Sequence, residues 1–242
     1  MSAIEIKNLT KTYKDVTAVD DLSLTVEDGE LFALLGVNGA GKSTLIRCLT
    51  CITEATSGEA LVGGYSITTE APIVKSKIAV SPQSTAIAHN LTVEENLLLM
   101  ARLSDMDKLS AQAKMTETSK NFGLDSVMKR RAGKLSGGWQ RRLSLAMALI
   151  TEPEILFLDE PTLGLDVLAR AELWDIIRAL RGRVTVVLTT HYMDEAESLA
   201  DRIGIMNRGH LVTVGTPSEL KERTGTTRVE EAFIKIVKEG RI

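Results

Sequence analysis

Residues 31–44 read LFALLGVNGAGKST. The run from Leu31 to Leu35 is continuously apolar, which predicts a strand buried on both faces of a sheet. The stretch from Gly36 onward fits the pattern G-x-x-x-x-G-K-[ST], and a helix is expected to begin near Lys42. A buried strand, a glycine-rich turn and a helix in this order predict a loop that wraps around phosphate groups.

The residue types in this glycine-rich loop (residues 36–44) suit phosphate chemistry. Glycines let the backbone curl so that successive N–H groups face a phosphate chain with no side chain in the way. The Lys42 ammonium is expected to reach the β and γ phosphates, the Ser43 hydroxyl to ligate Mg²⁺, and the Thr44 hydroxyl to add a phosphate contact. We therefore expect the phosphate chain of a nucleotide and Mg²⁺ to bind here, with contacts from Gly36, Asn38, Gly39, Ala40, Gly41, Lys42, Ser43 and Thr44.

A second apolar run delivers two carboxylates. Residues 155–158 predict a buried strand, and Asp159 and Glu160 follow it directly. Because α/β sheets bind ligands at the carboxyl ends of their strands, Asp159 is expected to help hold Mg²⁺. Glu160 is expected to orient or deprotonate a water that attacks the γ-phosphate. Taken alone, an acidic pair after a strand is also typical of a helix N-cap or a solvated loop.

The pattern along the chain predicts an α/β fold. Helical patterns alternate with buried runs such as residues 184–188, which indicates a P-loop nucleotide-hydrolase core with a mainly parallel sheet flanked by helices. Period-2 alternation within residues 1–30 indicates an N-terminal antiparallel β layer. We expect one domain, 1–242, with an inserted helical subdomain at 84–138 and an amphipathic tail at 225–242.

Charge and composition disfavour several classes of protein. The chain has 29 basic and 32 acidic residues, a net charge of −3 and 44% hydrophobic residues. These values fit a soluble globular protein and disfavour nucleic acid as a partner. No run of about 18 apolar residues and no signal-peptide pattern is seen, so we expect a chain that neither crosses a membrane nor is secreted. The Cys48–Cys51 pair is interpreted as part of a helix rather than as a redox pair or a zinc site.

A second glycine-rich segment, LSGGWQ at residues 135–140, precedes another predicted helix. Ser136 alone fits a helix N-cap, but two adjacent glycines are costly at a helix start unless a ligand must approach the backbone. We interpret Ser136, Gly137 and Gly138 as a second phosphate-binding surface. Because the chain has a single P-loop pattern, we infer that this surface serves the nucleotide of a partner molecule.

These segments together resemble the nucleotide-binding subunit of ATP-binding cassette (ABC) transporters over nearly the whole chain. The family's signature reads LSGGQ, and Trp139 stands here at the fifth position. The resemblance implies that Ser136 and Gly138 contact the γ-phosphate bound by a second nucleotide-binding subunit, identical or not, so that two cassettes enclose two ATP molecules. It also implies transmembrane permease subunits as partners and a peripheral location at the cytoplasmic face of the cell membrane.

The resemblance also assigns single residues. Tyr13 matches the aromatic residue that stacks on adenine, with an ordinary core or surface tyrosine as the alternative. Gln83 matches the glutamine that senses magnesium and the attacking water, Asp166 lies in the loop that crosses the dimer interface, and His191 matches the histidine that holds the γ-phosphate. The resemblance therefore implies a hydrolysing ATPase whose catalytic residues are Glu160, His191, Gln83 and Lys42.

Basic residues cluster near the predicted helical subdomain, at Lys129, Arg130, Arg131, Lys134, Arg141 and Arg142. We interpret this run as a solvated face. The resemblance adds that this face lies towards the membrane subunits, where anionic lipid is a further contact.

The stretches 190–197 and 231–234 resemble drug-resistance-type export cassettes of bacteria. Two alternatives remain. A soluble cassette protein acting on ribosomes or DNA would carry a second cassette or a long coiled coil, and the sequence has neither heptads nor a second P-loop. A P-loop kinase or GTPase would give the LSGG segment (residues 135–138) and His191 no role.

Overall fold

The computed structural model describes residues 2–239 of the chain. The element order is β1 (Ser2–Tyr13), β2 (Val16–Glu27), β3 (Leu31–Leu35), α1 (Lys42–Leu49), β4 (Ser57–Val62), β5 (Tyr65–Ser66), α2 (Ala71–Lys77), β6 (Ile78–Ser81), α3 (Val93–Leu103), α4 (Lys108–Asn121), α5 (Gly137–Leu149), β7 (Ile155–Asp159), α6 (Val167–Arg178), β8 (Thr185–Thr190), α7 (Met193–Leu199), β9 (Arg202–Asn207), β10 (His210–Gly215), α8 (Pro217–Thr224) and α9 (Val229–Glu239). Within the described range, no helix has both the length and the apolarity needed to cross a bilayer.

A six-stranded sheet with the order β10-β9-β3-β8-β7-β6 forms the centre of the fold. β3 pairs in parallel with β8 and β9, and β7 pairs in parallel with β6 and β8, while β10 is an antiparallel edge strand. β3 is apolar along its whole length and β7 is apolar up to Asp159, as expected of strands that are covered on both faces of the sheet. The predicted α/β fold is confirmed. The carboxyl ends of β3, β6, β7 and β8 meet at one edge, where such sheets place their ligands.

An antiparallel sheet with the order β2-β1-β4-β5 forms a separate layer, which confirms the predicted N-terminal β layer. Its buried side chains and those of α1 form one apolar cluster with Phe32 and Phe157 of the central sheet, both fully buried. Aromatic side chains bury about 150–250 Å² each. The cluster therefore packs α1, which follows the glycine-rich loop, against β3 and β7.

Two helices, α3 and α4, occupy the region of the predicted helical subdomain. A capping box begins α3: the Thr92 hydroxyl accepts from the Glu95 N–H, and the Glu95 carboxylate accepts from the Thr92 N–H. The Asp107 carboxylate caps α4. Leu97 of α3 and Met115 of α4 join the buried cluster that also contains α5. The helices are where the pattern places them, and the subdomain boundaries of 84–138 stay a prediction.

Two short helices follow β10 at the carboxyl end of the described chain. Pro217 lies in the first turn of α8, which opens with a capping box. In α9, Val229 and Phe233 are buried at helical spacing. The tail predicted at 225–242 thus contains a helix that reaches Glu239, and residues 240–242 of that prediction lie outside the described residues.

The two cysteines lie at the end of α1. Cys48 is buried, Cys51 is half-buried, and burial raises the pKa of both thiols. The Cys51 thiol donates to the carbonyl oxygen of Ile67 at 3.4 Å. A raised thiol pKa disfavours the thiolate that redox and zinc chemistry require.

Candidate functional site

Four segments that carry predicted site residues meet at the carboxyl edge of the central sheet. The glycine-rich loop follows β3, Gln83 follows β6, Glu160 follows β7 and His191 follows β8. A cavity of about 440 Å³ opens at this edge, lined by Ala18, Asn38, Gly39, Ala40, Gly41, Lys42, Ser43, Thr44, Gln83 and Glu160. Cavities of this size hold small-molecule ligands.

Three glycines shape the loop. Gly41 has a φ of +105°, and a Cβ there would lie 2.1 Å from the carbonyl oxygen of Ala18. A Cβ at Gly36 would lie 2.5 Å from the carbonyl oxygen of Met206. Gly39 has a φ of +80°, but a Cβ there would meet nothing within 4 Å. Gly36 and Gly41 are therefore required by neighbouring backbone, whereas Gly39 leaves open space in the cavity.

Gly41→Ala is expected to destabilise the fold more than Gly39→Ala. Both changes add strain of about 1–2 kcal/mol because residues with a side chain avoid positive φ. Only the Gly41 change adds a clash with neighbouring backbone, which costs about 1–3 kcal/mol more. Urea unfolding of both variants measures the difference. Equal losses in the free energy of unfolding would contradict the close approach of Ala18 to the loop.

The ammonium of Lys42, the first residue of α1, lies within the loop. Nζ donates to the carbonyl oxygens of Gly36 at 2.7 Å and Val37 at 3.3 Å, and it lies 3.6 Å from Oε1 of Glu160. Burial lowers the pKa of Lys42, and the carboxylates of Glu160 and Asp159 oppose that shift. The ammonium is held by carbonyl oxygens that a phosphate can replace as acceptors.

Hard oxygen atoms converge on Asp159. The Ser43 hydroxyl donates to Oδ1 of Asp159 at 3.1 Å, and the Thr189 hydroxyl donates to the same oxygen at 2.5 Å. Gln83 lines the cavity beside Ser43. Carboxylate, hydroxyl and amide oxygens are hard ligands of the kind that Mg²⁺ prefers. The donor set therefore fits the magnesium ion predicted from the sequence.

Glu160 is buried against His191. Its Oε2 accepts a hydrogen bond from Nδ1 of His191 at 2.6 Å, and Oε1 faces Lys42. The backbone of Glu160 is left-handed, with a φ of +50°, and its N–H donates to the Thr189 carbonyl at 3.1 Å. This conformation is costly for a residue with a side chain and is typical of functional sites. A carboxylate fixed between an imidazole and an ammonium at the cavity wall is placed to accept a proton from water.

The LSGG segment lies apart from this cavity. Ser136 occupies the N-cap position of α5, but its side chain makes no capping hydrogen bond, so capping does not account for the serine. A Cβ at Gly138 would lie 2.9 Å from Cβ of Ala169 in α6, while a Cβ at Gly137 would meet nothing within 4 Å. Ser136 and Gly137 are exposed. An exposed helix N-terminus suits an anion carried by another molecule.

Tyr13 and Asp166 also lie outside the cavity lining. The Tyr13 ring, at the end of β1, is 42% exposed, and Nζ of Lys11 lies 4.8 Å from its centroid. Asp166 caps α6, where its carboxylate accepts from the N–H groups of Leu168 and Ala169. An exposed aromatic face is available for stacking on a base. The interface role of Asp166 stays a prediction, since the described contacts give it a capping role.

Arg141 corrects the prediction of a solvated basic face. Lys129 is exposed as expected, but Arg141 is only 5% exposed and donates to the backbone carbonyl groups of Gln83 and Glu160. The reason is that α5 is buried on several sides, so a position off its apolar stripe is still enclosed. Local periodicity carries no signal for this arrangement.

Glu195 of α7 is a second buried ionisable residue that sequence reasoning missed. It is fully buried, and its Oε1 accepts from the Thr162 hydroxyl at 2.8 Å and from Trp174 Nε1 at 3.1 Å. Burial raises the pKa of Glu195. In the sequence, Glu195 is indistinguishable from its acidic neighbours Asp194 and Glu197, which are not buried.

Comparison with known proteins assigns the family. Residues 19–163 match the ABC transporter family (ABC_tran). The chain belongs to the ABC transporter family. It is 42% identical to the daunorubicin/doxorubicin resistance ATP-binding protein DrrA of Streptomyces peucetius over 225 residues, which cover 93% of this chain and 68% of that protein. It is 38% identical to the doxorubicin resistance ATP-binding protein DrrA of Mycobacterium tuberculosis H37Rv, covering 94% of this chain and 70% of that protein.

The fold of this ABC ATPase agrees with a solved structure. A protein described as the ATP-binding subunit of an ABC transporter matches with a TM-score of 0.86 and 26% identity, covering 97% of this chain and 99% of that chain. The chain is thus an ATP-binding and ATP-hydrolysing subunit of a transporter, as predicted. The comparisons do not support the alternative of a soluble ABC protein acting on ribosomes or DNA.

Proposed function

We propose that this ABC ATPase drives the export of drug-like compounds through separate membrane-spanning permease subunits, from the cytoplasmic face of the membrane. The observation that carries the catalytic part is the contact of Glu160 with His191 and Lys42 at the wall of the cavity. The relatives named for daunorubicin and doxorubicin resistance support drug export.

In this proposal, the glycine-rich loop binds the phosphates of ATP. Residues 38–44 line the cavity, and the N-terminus of α1 favours an anion there. Lys42 exchanges the carbonyl oxygens of Gly36 and Val37 for the β and γ phosphates. Tyr13 stacks on the adenine ring.

Ser43, Asp159 and Gln83 would hold Mg²⁺ beside the phosphates. When bound, the ion neutralises charge on the β and γ phosphates. The Thr189 hydroxyl fixes the Asp159 carboxylate in advance by donating to Oδ1. A carboxylate already held in place loses little freedom when its ligand arrives.

Glu160 orients the attacking water and accepts its proton. When the His191 ring carries both protons, Nδ1 donates to the Glu160 carboxylate and fixes it, and the second ring nitrogen donates to the γ-phosphate. Gln83, at the cavity wall, contacts the same water. Positioning and electrostatic stabilisation of this kind supply most of the catalysis in phosphoryl transfer.

A second nucleotide-binding subunit completes the site. Ser136, Gly137 and Gly138 do not line the cavity of their own chain in the described residues, and Ser136 and Gly137 face outward. We infer that two subunits associate head to tail, so that the LSGG segment of each covers the nucleotide of the other, with Asp166 at their interface. ATP then closes the pair, and hydrolysis reopens it.

Ser136→Arg is expected to block this pairing without affecting the first binding step. The bulky cation prevents close approach of the partner's nucleotide. We therefore expect turnover to fall about 10²-fold or more, the size of loss seen when one hydrogen-bond donor to a charged transition state is removed. Phosphate release measures turnover, and titration with a fluorescent ATP analogue gives a Kd that stays at the parental value. Ser76→Arg, on exposed α2, is the matched control with parental turnover. Full activity in Ser136→Arg would contradict the partner-nucleotide role.

Co-purification from native membranes tests the transport role. The chain is tagged, the membranes are solubilised in mild detergent, and proteins that remain bound are identified by peptide mass spectrometry. A multi-spanning membrane protein, with an ATPase rate that anthracycline drugs stimulate, supports the proposal. Ribosomal proteins or no partner would contradict it while leaving the ATPase site intact.

A further inference from the structure

Arg141 is a buried arginine that ties two backbone segments together. It lies near the start of α5 and is 5% exposed. Its guanidinium donates five hydrogen bonds to carbonyl oxygens: Nε to Pro161 at 2.6 Å, Nη1 to Pro82 at 2.5 Å and Gln83 at 3.3 Å, and Nη2 to Asp159 and Glu160, both at 3.0 Å. The acceptors belong to the segment that follows β6 and to the end of β7 with the residues after it.

This arrangement has an electrostatic cost. Burial lowers the pKa of Arg141 to about 10, although the carboxylates of Glu195 and Asp159 oppose the shift. The side chain therefore remains a cation at neutral pH, and its charge-assisted hydrogen bonds to carbonyl oxygens are stronger than neutral ones. An apolar residue in the same place would avoid the desolvation cost but would leave those carbonyl groups without their donor.

The accepted carbonyl groups flank the residues that perform the chemistry. Glu160 has the left-handed φ of +50°, which a residue with a side chain adopts only when its surroundings hold it there. Its carbonyl is held by Arg141, and its N–H is held by the carbonyl and hydroxyl of Thr189. With both peptide groups fixed, the carboxylate is directed to His191 and Lys42.

We propose that Arg141 is a positioning residue for ATP hydrolysis, which holds the backbone of Glu160 in its left-handed conformation and in fixed relation to Gln83. This inference rests on the proposed role of Glu160 as the residue that activates water. Arg141 does not itself line the cavity, and its described hydrogen bonds go to backbone carbonyl groups and not to the glycine-rich loop, so its effect is on turnover rather than on binding. Because α5 also carries the LSGG segment, the same helix contacts the chain's own catalytic backbone and faces the partner subunit.

Arg141→Lys is the informative substitution. Lysine keeps the charge, but its single ammonium cannot span carbonyl groups in two segments as the planar guanidinium does. We expect kcat to fall about 10²-fold, the order of loss that follows a displacement of roughly 1 Å at a catalytic group. The Kd for a fluorescent ATP analogue is expected to stay at the parental value. Arg141→Gln, which carries no buried charge, is also expected to lower kcat and to leave Kd at the parental value.

Arg202→Lys is the matched control. Arg202 is also partly buried and donates to the Thr25 carbonyl and the Glu30 carboxylate, but it lies at the start of β9, at the opposite edge of the sheet from the cavity. We expect this variant to keep the parental kcat. Thermal unfolding by circular dichroism is recorded for all variants.

A double variant separates positioning from a general structural effect. If Arg141 acts through Glu160, adding Arg141→Lys to Glu160→Gln lowers the residual turnover no further. A further loss in the double variant would overturn the proposal. Parental kcat in Arg141→Lys, when Glu160→Gln has lost most of its turnover, would also overturn it. So would loss of ATP binding or of the fold in both Arg141 variants. Parental turnover in Glu160→Gln itself would instead remove the proposed role of Glu160 on which the inference rests.

Discussion

Glu160→Gln is expected to reduce ATP turnover to a small residual rate while leaving ATP binding intact. The amide has almost the same shape as the carboxylate, so it keeps the place beside His191 and Lys42. It cannot accept a proton from water, and loss of a positioned base lowers the rate about 10²- to 10⁴-fold. Phosphate release under saturating ATP measures turnover, and a fluorescent ATP analogue measures Kd.

Glu154→Gln provides the control for this substitution. Glu154 is an exposed glutamate that pairs with Lys77 just before β7, so its loss is expected to leave turnover at the parental rate. If Glu160→Gln hydrolysed ATP as fast as the parent, Glu160 would not be the residue that activates water.

Lys42→Ala is expected to weaken nucleotide binding itself. The carbonyl groups of Gly36 and Val37 hold the Lys42 ammonium within the glycine-rich loop. There it is a phosphate donor in addition to the backbone N–H groups and the N-terminus of α1. Hydrogen bonds to charged groups contribute about 1.5–3 kcal/mol, so Kd should rise by about 10- to 100-fold. Titration with a fluorescent ATP analogue gives this value directly.

Lys77→Ala is the matched control, because Lys77 makes its ion pair with Glu154 away from the cavity. Its Kd is expected to equal that of the parent. An unchanged Kd in Lys42→Ala would show that the glycine-rich loop is not the phosphate site.

Local sequence patterns were sufficient for most of the fold, because strands and turns are encoded by adjacent residues. The apolar run, glycines and lysine of residues 31–44 form β3, the loop and α1 as predicted. The strand predicted at 184–188 is observed at Thr185–Thr190, since the polar residues Thr189 and Thr190 continue it and are fully buried. Thr189 tolerates burial because its hydroxyl bonds to Asp159.

Long-range polar contacts could not be predicted in this way. Arg141 contacts Pro82 and Glu160, and Glu195 contacts Thr162, across stretches of chain that carry no shared periodicity. The approach of such groups is decided by how helices pack on the sheet, and one sequence gives no measure of that packing. The shared site of Lys42 and Glu160 was predictable from the glycine-rich loop and the strand ends, whereas His191 was accessible only through family resemblance, since a lone histidine after a strand has no distinguishing pattern.

Light scattering of the Glu160→Gln variant tests most directly whether the site is completed by a second subunit. The molar mass is measured with and without saturating ATP and Mg²⁺, and the bound nucleotide is counted in each fraction. A shift from one chain to two chains that hold two ATP molecules is the expected result, and adding Ser136→Arg should prevent it. A single chain that remains monomeric with ATP bound would contradict the account.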